Sequence, residues 1–187
     1  MKISSNIPGP LVNRLRRKWR INFFVETGTC HGDTTELAAI MFDQVWSCDI
    51  DGSLIEQART RLSQYPGVKL SVEASPDFLR RIKPQLCQPV MYWLDAHWCG
   101  GPVKPAKECP LLEEIKAIQS LSGHSVILID DIELIESPPP SPHDPAQWPT
   151  MDQLRETLAI FDAPYTFEWY QGSSSRVLAI TPEEPKP

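Results

Sequence analysis

The chain has 187 residues, of which 41% are hydrophobic, and its formal net charge is −6. This length predicts one domain with a single core. The charge is uneven, because residues 1–20 carry six basic side chains and no acidic one, whereas residues 21–187 hold 12 basic and 24 acidic side chains. An acidic domain repels phosphates, which argues against a nucleic acid partner. The basic segment 1–20 is expected to be a solvated helix or cap, although contact with RNA, anionic lipid or an acidic protein stays open.

The cysteine pattern and the hydropathy indicate the cellular environment. The five cysteines include no C-x-x-C pair, so the sequence indicates neither a zinc knuckle nor a disulfide framework. The N-terminus lacks the apolar segment of a signal peptide, and no stretch reaches the roughly 18 apolar residues of a membrane-spanning helix. We therefore expect a soluble protein of the reducing cytoplasm.

Apolar runs alternate with amphipathic stretches along the chain, which predicts strands and helices in turn. In chain order the sequence predicts a strand over 21–26, a helix over 33–42, a strand over 45–50, a helix over 53–62, a strand over 68–72, a helix over 76–82, a strand over 90–94, a loop over 96–109, a helix over 110–121, a strand over 126–129, an irregular proline-rich segment over 137–149, a helix over 151–161, and strands over 165–170 and 176–180.

This alternation predicts right-handed βαβ units. The expected fold is an α/β, Rossmann-like, seven-stranded and mostly parallel sheet with helices on both faces. The two last strands form a hairpin that places an antiparallel strand in the sheet. The domain is predicted to span residues 21–181, and residues 182–187 are predicted to form a frayed tail.

The first predicted strand runs into a loop that contains Gly28 and Gly32 and then into a helix. Glycine lets the backbone approach a ligand closely, and the first turn of a helix has N–H groups that a polar cofactor can use. A dinucleotide-binding loop reads G-x-G-x-x-G, but position 30 is Cys. The remaining pattern, with Glu26 two residues before the first glycine, is typical of S-adenosylmethionine (SAM) binding. The alternative is a strand-to-helix turn that merely requires glycine.

Carboxylates follow four of the predicted parallel strands, namely Glu26, Asp49, Asp95 and the pair Asp130 and Asp131. The carboxyl ends of parallel strands meet at one edge of the sheet, where open α/β sheets bind their ligands. Burying carboxylates there would be costly without a cation or hydrogen-bond donors. The sequence therefore predicts a ligand site at this edge.

Two polar residues at this edge are candidates for contact with a nucleoside. Asp49 lies where a carboxylate could accept hydrogen bonds from both ribose hydroxyls, and Ser75 lies where an adenine edge would fall. Each residue has a plainer alternative as a helix cap. Asp49 could cap the helix that begins near Ser53, a role that Asp51 could share, and Ser75 could cap the helix that follows it.

Asp95, Asp130 and Asp131 come from neighbouring strands and would repel one another unless a positive group lay between them. Hard oxygen ligands favour Mg²⁺, Ca²⁺ or Mn²⁺ over zinc. His97 is close enough in sequence to reach the same space, either as a general base or as a ligand that would favour Mn²⁺ or Fe²⁺. The alternative for His97 is a loop histidine that is hydrogen-bonded to the backbone.

Four segments carry a family resemblance: residues 26–29 with Gly32, residues 93–97, residues 109–114 and residues 127–131. Through them, roughly residues 20–181 resemble the class I SAM-dependent methyltransferases, and especially a bacterial group of small enzymes often found with sugar or secondary-metabolite pathways. The acidic residues also look similar to those of metal-dependent sugar O-methyltransferases of the macrocin type. This chain is shorter than those enzymes, and His97 replaces the second acid that many of them have.

The resemblance implies SAM as the cofactor, with Glu26, Gly28 and Gly32 at its methionine end and Asp49 at its ribose. The candidate cofactor-binding residues are Glu26, Thr27, Gly28, Thr29, Gly32, Thr34, Asp49, Ser75 and Asp95. The resemblance also implies a divalent metal, Mg²⁺ or Mn²⁺, with Asp95, Asp130 and Asp131 as its ligands.

These observations lead to the hypothesis of methyl transfer from SAM to a hydroxyl oxygen of a sugar or other small metabolite, with His97 and Asp95 as catalytic residues. The loops over 96–109 and 137–149 would shape the acceptor pocket, where Trp98, Pro102 and Trp148 could stack on a ring; Trp148 could instead anchor its loop.

Several alternatives stay open. A metal-independent SAM methyltransferase would use His97 or Asp95 as the base. In a metal-dependent glycosyltransferase, residues 95–97 would be the motif that binds the metal and the nucleotide sugar. In a binding module without catalysis, the acidic edge would serve only to dock a partner. A homodimer through the N-terminal helix is also open.

Overall fold

The structure is a computed structural model, which describes residues 6–119, 125–137, 139–161 and 164–183. Its helices are α1 (Gly9–Trp19), α2 (Asp33–Met41), α3 (Gly52–Arg61), α4 (Ser75–Ile82), α5 (Leu111–Ile118), α6 (Glu133–Glu136) and α7 (Met151–Leu158). Its strands are β1 (Phe23–Thr27), β2 (Gln44–Asp49), β3 (Val68–Val72), β4 (Val90–Leu94), β5 (Val126–Ile129), β6 (Tyr165–Gln171) and β7 (Arg176–Pro182). Short 3₁₀ turns cover Lys83–Gln85 and Pro145–Gln147.

Across the described ranges, seven strands form one sheet in the order β3-β2-β1-β4-β5-β7-β6. The first five strands in this order are parallel, and β7 is antiparallel to both β5 and β6. The predicted Rossmann-like, mostly parallel sheet with an antiparallel hairpin is therefore confirmed. The strand order reverses between β1 and β4, so the crevice in which such sheets bind ligands lies at the carboxyl ends of these two strands.

The core lies on both faces of the sheet. All residues of β1, β4 and β5 are buried, as expected for strands covered on two sides. Side chains alternate between faces with the period of a strand. Val25 and Tyr92 belong to the cluster that contains residues of α4, α5 and α7. Phe24 and Trp93 belong to the cluster that contains residues of α1 and α2.

The basic N-terminal segment forms α1, whose inner face is part of the core. The buried side chains of α1 are Leu11, Val12, Leu15 and Trp19. Burial of such side chains contributes about 1.5–3 kcal/mol each. Arg16, Arg17 and Lys18 occupy the last turn, where positive charge favours the helix dipole. In the part of the chain that the structure describes, no helix has the length and apolar character needed to cross a membrane.

Several element boundaries differ from the predictions for local reasons. β1 begins at Phe23 rather than at residue 21, because the N–H of Ile21 donates to the carbonyl of Arg16 and ends α1. The proline-rich segment was expected to be irregular, which is wrong for Pro145–Gln147, since Asp144 accepts the N–H of the second turn residue. α5 ends at Ile118 with a left-handed residue after it.

The C-terminal elements also depart from their predicted limits. α7 begins with a capping box between Thr150 and Gln153 and ends at Leu158, three residues before its predicted end. β7 continues to Pro182, which pairs with Tyr165, so the strand includes the first residue of the predicted tail. Residues 184–187 of that tail, and positions 120 and 121 of the predicted helix over 110–121, lie outside the described residues.

Candidate active site

A cavity of about 530 Å³ lies at the carboxyl edge of the sheet. Gly28, Asp49, Ser75, Asp95 and Asp131 line it, and these residues follow or end five successive parallel strands of the chain. The loop after β4 covers one side of the cavity. Both the position at the strand-order reversal and the volume are typical of a small-molecule site in an α/β sheet.

The loop after β1 packs against the end of β2 and against Asp95, the residue that follows β4. Gly28 has φ +85°, and a Cβ at this position would lie 2.4 Å from the carbonyl oxygen of Asp95. The N–H groups of Gly28 and Thr29 donate to the carbonyl of Cys48 at 2.9 and 3.0 Å, and the N–H of Cys30 donates to the carboxylate of Asp49 at 2.8 Å. Strand packing therefore requires Gly28, and the expected free N–H groups are engaged at residues 28–30.

Five of the predicted cofactor-binding residues do not line the cavity: Glu26, Thr27, Thr29, Gly32 and Thr34. Glu26 is buried behind the loop, where its carboxylate accepts hydrogen bonds from the hydroxyls of Thr35 and Ser47. Burial raises the pKa of Glu26 to about 7. Gly32 is the N-cap residue of α2 and has a left-handed conformation, and a Cβ there would lie 3.2 Å from the Leu62 side chain. The two loop glycines are therefore required in part by packing within the protein and not only by a ligand site.

Asp49 does not cap α3, although its position in the sequence allowed that role. Asp51 caps α3, because its carboxylate accepts the N–H groups of Ser53 and Leu54. Asp49 accepts the N–H of Asp51 at 3.0 Å and that of Cys30, while it also lines the cavity. The carboxylate is therefore held in place at the cavity wall by two backbone donors.

Ser75 also lines the cavity, and the capping alternative for it is wrong. Ala74 occupies the N-cap position of α4, with no side-chain hydrogen bond, and Ser75 is the first residue of the helix. The hydroxyls of Ser75 and Thr27 instead face the buried carboxylate of Glu114. Burial raises the pKa of Glu114.

Three side chains converge at the end of the cavity, namely Asp95, His97 and Asp131. One ligand atom from each lies within 4.8 Å of the others. His97 Nδ1 is 3.5 Å from Asp95 Oδ1, and His97 Nε2 is 3.2 Å from Asp131 Oδ2. Burial alone would lower the pKa of His97, but the hydrogen bond to Asp131 and the charge of Asp95 outweigh burial, so the pKa of His97 is raised. Burial raises the pKa of Asp95, and the hydrogen bond from His97 lowers that of Asp131.

Asp130 does not join this group, although the sequence predicted it as a ligand beside Asp95 and Asp131. Its carboxylate accepts hydrogen bonds from the side chains of Asn6 and Ser175 and from the N–H of Asp131. The physical reason is the left-handed backbone of Asp131, with φ +47°, which turns the two adjacent carboxylates to different partners. The geometry thus puts a histidine where the sequence placed the third carboxylate.

A buried carboxylate joins the two loops that the sequence assigned to the acceptor pocket. Glu108 Oε2 lies 3.2 Å from His143 Nδ1 and accepts the N–H of Asp144 at 3.1 Å and the indole N–H of Trp148 at 3.2 Å. Lys104 Nζ lies 2.8 Å from Glu108 Oε1. These partners, with Lys104 contributing most, lower the pKa of Glu108 to about 2. Glu108 therefore carries a negative charge that fixes both loops.

The predicted stacking residues divide between two roles. Trp98 and Pro102 line the large cavity. Trp148 is buried, and its ring lies 5.4 Å from that of His97, so it anchors its loop beside the histidine. Sequence reasoning missed Glu108 and Asn6, because their partners are up to 40 and 169 positions away along the chain and no local pattern marks them.

No protein-family model and no curated protein matches this sequence. Among solved structures, the O-methyltransferase TomG from Streptomyces achromogenes in complex with SAM matches with a TM-score of 0.66 and 19% identity, over 97% of this chain and 82% of that chain. The O-methyltransferase from Bacillus cereus in complex with SAH (S-adenosylhomocysteine) matches with a TM-score of 0.61 and 17% identity, over 95% and 82% of the two chains. An rRNA methylase from Streptococcus thermophilus matches with a TM-score of 0.56 and 15% identity, over 98% and 100%. This chain has the fold of SAM-dependent methyltransferases, as the sequence predicted.

Proposed function

We propose that the protein is a SAM-dependent methyltransferase that methylates a hydroxyl oxygen of a sugar or other small metabolite. The observation that carries this proposal is the single cavity wall that runs from Asp49 and Ser75 to the cluster of Asp95, His97 and Asp131. One end of the wall offers oxygen atoms that can hydrogen-bond to a nucleoside. The other end offers groups that can activate the hydroxyl that receives the methyl group. The SAM-bound and SAH-bound complexes of proteins with this fold support the cofactor.

The cofactor half of the cavity would hold the nucleoside of SAM. Each carboxylate oxygen has lone pairs beyond those used by backbone donors. Asp49 can therefore accept hydrogen bonds from the ribose hydroxyls while the N–H groups of Cys30 and Asp51 keep it in place. Ser75 lies on the same wall, at the start of α4, where the adenine would reach.

The acceptor half must align the nucleophile and remove its proton, because the methyl group of SAM is already a strong electrophile. His97 is the base in this scheme: in its neutral form, a ring nitrogen takes the proton of the acceptor hydroxyl. Asp95 and Asp131 face the two ring nitrogens and hold the ring between them. Because both are acidic, they also stabilise the imidazolium that forms.

Asp95, His97 and Asp131 also fit a divalent cation. Two carboxylate oxygens and one imidazole nitrogen within 4.8 Å of one another are a donor set that suits Mn²⁺ better than Mg²⁺, because one of the three ligands is a nitrogen. When bound, the cation would stabilise negative charge on the acceptor oxygen, and His97 would then act as a ligand and not as the base. The residues that would hold it are therefore these three, with His97 in place of the predicted Asp130.

A metal-independent reaction is the second candidate, and a specific observation favours it. Both ring nitrogens of His97 already face carboxylates, and the pKa of His97 is raised, so an imidazolium can supply the positive charge that these carboxylates need. In this case the rate of methyl transfer rises about tenfold per pH unit below the pKa of His97, because only the neutral histidine can take the proton. EDTA decides between the candidates: inhibition that Mg²⁺ or Mn²⁺ reverses supports the cation, and full activity in EDTA supports His97 alone.

The position of the basic residues supports a small acceptor over a nucleic acid. Asn6 lies at the carboxyl edge beside Asp130, whereas α1 leads into the start of β1 at the opposite edge. An 11-residue helix is about 16 Å long, so the basic last turn of α1 lies at the far edge from the cavity. Phosphates bound there would not place a base at the cluster around His97.

The proposal is tested with the purified protein, SAM carrying a labelled methyl group, and a panel of sugars, phenols and other hydroxyl-bearing metabolites, with rRNA as the contrast. We expect SAH to bind in calorimetry and the label to pass to a small molecule. The matched variant Asp49→Asn keeps the shape but removes the charge that faces the ribose, so SAH affinity should fall about tenfold. A wild-type protein that binds neither SAM nor SAH would refute the proposal, and transfer to rRNA alone would overturn the small acceptor.

A further inference from the structure

The side chain of Asn6 connects the described segment before α1 (residues 6–8, the N-terminal arm), the β6–β7 turn (residues 172–175) and the acidic pair after β5. Its amide nitrogen donates to the carboxylate of Asp130 and to the hydroxyl of Ser175. Its amide oxygen accepts the N–H of Ser174 at 2.9 Å and that of Ser175 at 3.2 Å. A primary amide has two N–H donors and one oxygen with two lone pairs. The hydrogen-bonding capacity of Asn6 is thus fully used by these partners.

Asp130 transmits this arrangement to Asp131. Oδ1 of Asp130 accepts the N–H of Asp131 at 2.8 Å and the hydroxyl of Ser175 at 2.9 Å. Asp131 has φ +47°, a left-handed conformation that Asp adopts more often than most residues but still in the minority of cases, so neighbouring contacts help to select it. In this conformation the Asp131 carboxylate lies 3.2 Å from His97 Nε2.

We propose that Asn6 is a positioning residue of the acceptor site, because its hydrogen bonds to Asp130 and to the β6–β7 turn keep Asp131 in the conformation that directs its carboxylate at His97. The inference rests on the proposed function, in which Asp131 and His97 act on the acceptor. It adds the N-terminal arm and the last hairpin to the active site, although neither contributes a residue to the cavity wall.

Gly172 offers a second way to disturb the same contacts. A Cβ at Gly172 would lie 2.4 Å from Asn6 Oδ1 and 2.8 Å from the carbonyl oxygen of Ser175. Its φ lies outside the left-handed range, so alanine adds no strain in φ, and the effects of the change come from its contacts with Asn6 and with the Ser175 carbonyl. Gly172→Ala would therefore displace the Asn6 amide, whereas Gly9→Ala, at the first residue of α1, places its Cβ where no other group lies within 4 Å. Gly9→Ala is the matched control.

The test compares Asn6→Ala, Asn6→Asp, Gly172→Ala and the double variant Asn6→Ala/Gly172→Ala with the wild type and the control. We expect kcat to fall about 10-fold to 100-fold in both single alanine variants, with SAH affinity within about twofold, since residues that orient a catalytic group typically have effects of this size. Asn6→Asp has the same shape but turns an oxygen towards the Asp130 carboxylate, so its kcat should fall at least as far. The double variant should be no worse than the worse single one, because the two changes remove the same contact.

Crystal structures of the wild type and of Asn6→Ala give a readout that does not depend on activity. We expect the His97 Nε2 to Asp131 Oδ2 contact to be present in the wild type and lost in the variant. Wild-type kcat in Asn6→Ala, full activity in Asn6→Asp, or an intact contact in the Asn6→Ala crystal would overturn the inference. A wild type that binds no SAH refutes the proposed function instead, and the crystal comparison still decides the role of Asn6. If Asn6→Ala does not fold, Gly172→Ala and Asn6→Asp carry the test.

Discussion

The two halves of the cavity are held together in different ways. The cofactor half is built by the ends of β1, β2 and β3 and by local contacts, such as the backbone donors that hold Asp49. The acceptor half is built by loops, and single side chains such as Glu108 and Asn6 join segments that are far apart in the sequence. Backbone packing therefore determines the first half, and buried polar side chains determine the second. This difference leads to distinct mutational effects in the two halves.

The largest expected effect is on the cofactor half, from Gly28→Ala. The left-handed backbone alone costs about 1–2 kcal/mol for a residue with a side chain. The added Cβ would also lie 2.4 Å from the Asp95 carbonyl, so β1 and β4 must separate. We expect a lower melting temperature and loss of measurable SAH binding in calorimetry.

Gly101→Ala is the matched control in the acceptor half. Gly101 also lines the cavity, but a Cβ there meets no atom within 4 Å. We expect its SAH affinity to stay within about twofold of the wild type, since surface changes without new contacts have small effects. Similar losses of SAH binding in Gly28→Ala and Gly101→Ala would show that backbone packing does not distinguish the two halves.

The next effect is on the acceptor half alone, from Asp131→Ala. This change removes the partner of His97 Nε2 and one of the three candidate cation ligands. Methyl transfer should fall about 100-fold or more, the range for loss of acid–base function, while SAH affinity stays within about threefold. Labelled SAM and calorimetry measure the two quantities separately. Asp152→Ala, at an exposed ion pair, is the control, and an equal loss of SAH affinity in Asp131→Ala would contradict the division of roles.

The same contrast explains what the sequence could predict. Apolar runs locate the ends of strands, so the positions of Asp49 and Asp95 at one edge follow from periodicity, and the predicted fold is confirmed. The sequence offered His97 as a possible ligand, but the absence of Asp130 from the cluster could not be predicted, because it depends on the left-handed φ of Asp131. That conformation is held by contacts with Asn6 and the last hairpin, which no spacing in the sequence reveals.

The first loop illustrates a pattern whose physical cause differs from the predicted one. The glycines suggested close approach to a ligand, yet Gly28 is required by the Asp95 carbonyl and Gly32 by the packing of α2 on α3. Only Gly28 of the two lines the cavity. A glycine spacing can thus identify a fold correctly while most of its constraints come from the protein itself.

The smallest expected effect comes from Glu108→Gln, which keeps the shape of the residue that joins the acceptor loops but removes its charge. We expect the KM for the acceptor to rise while the KM for SAM stays close to the wild-type value, because the contacts of Glu108 lie in the acceptor half. The melting temperature should also fall, since Lys104 and the three groups at Oε2 lose a charged partner.

The pH dependence of this stability has a definite sign. The pKa of Glu108 falls from its ordinary value of 4.5 to about 2 on folding, so its charge stabilises the folded protein fully above about pH 4.5, and this contribution is lost as pH falls towards 2. The difference in melting temperature between the wild type and Glu108→Gln should therefore be largest near neutral pH and shrink below pH 4.5. A difference that grows on acidification would mean that Glu108 is not charged in the folded protein, and the acceptor loops would then need another anchor.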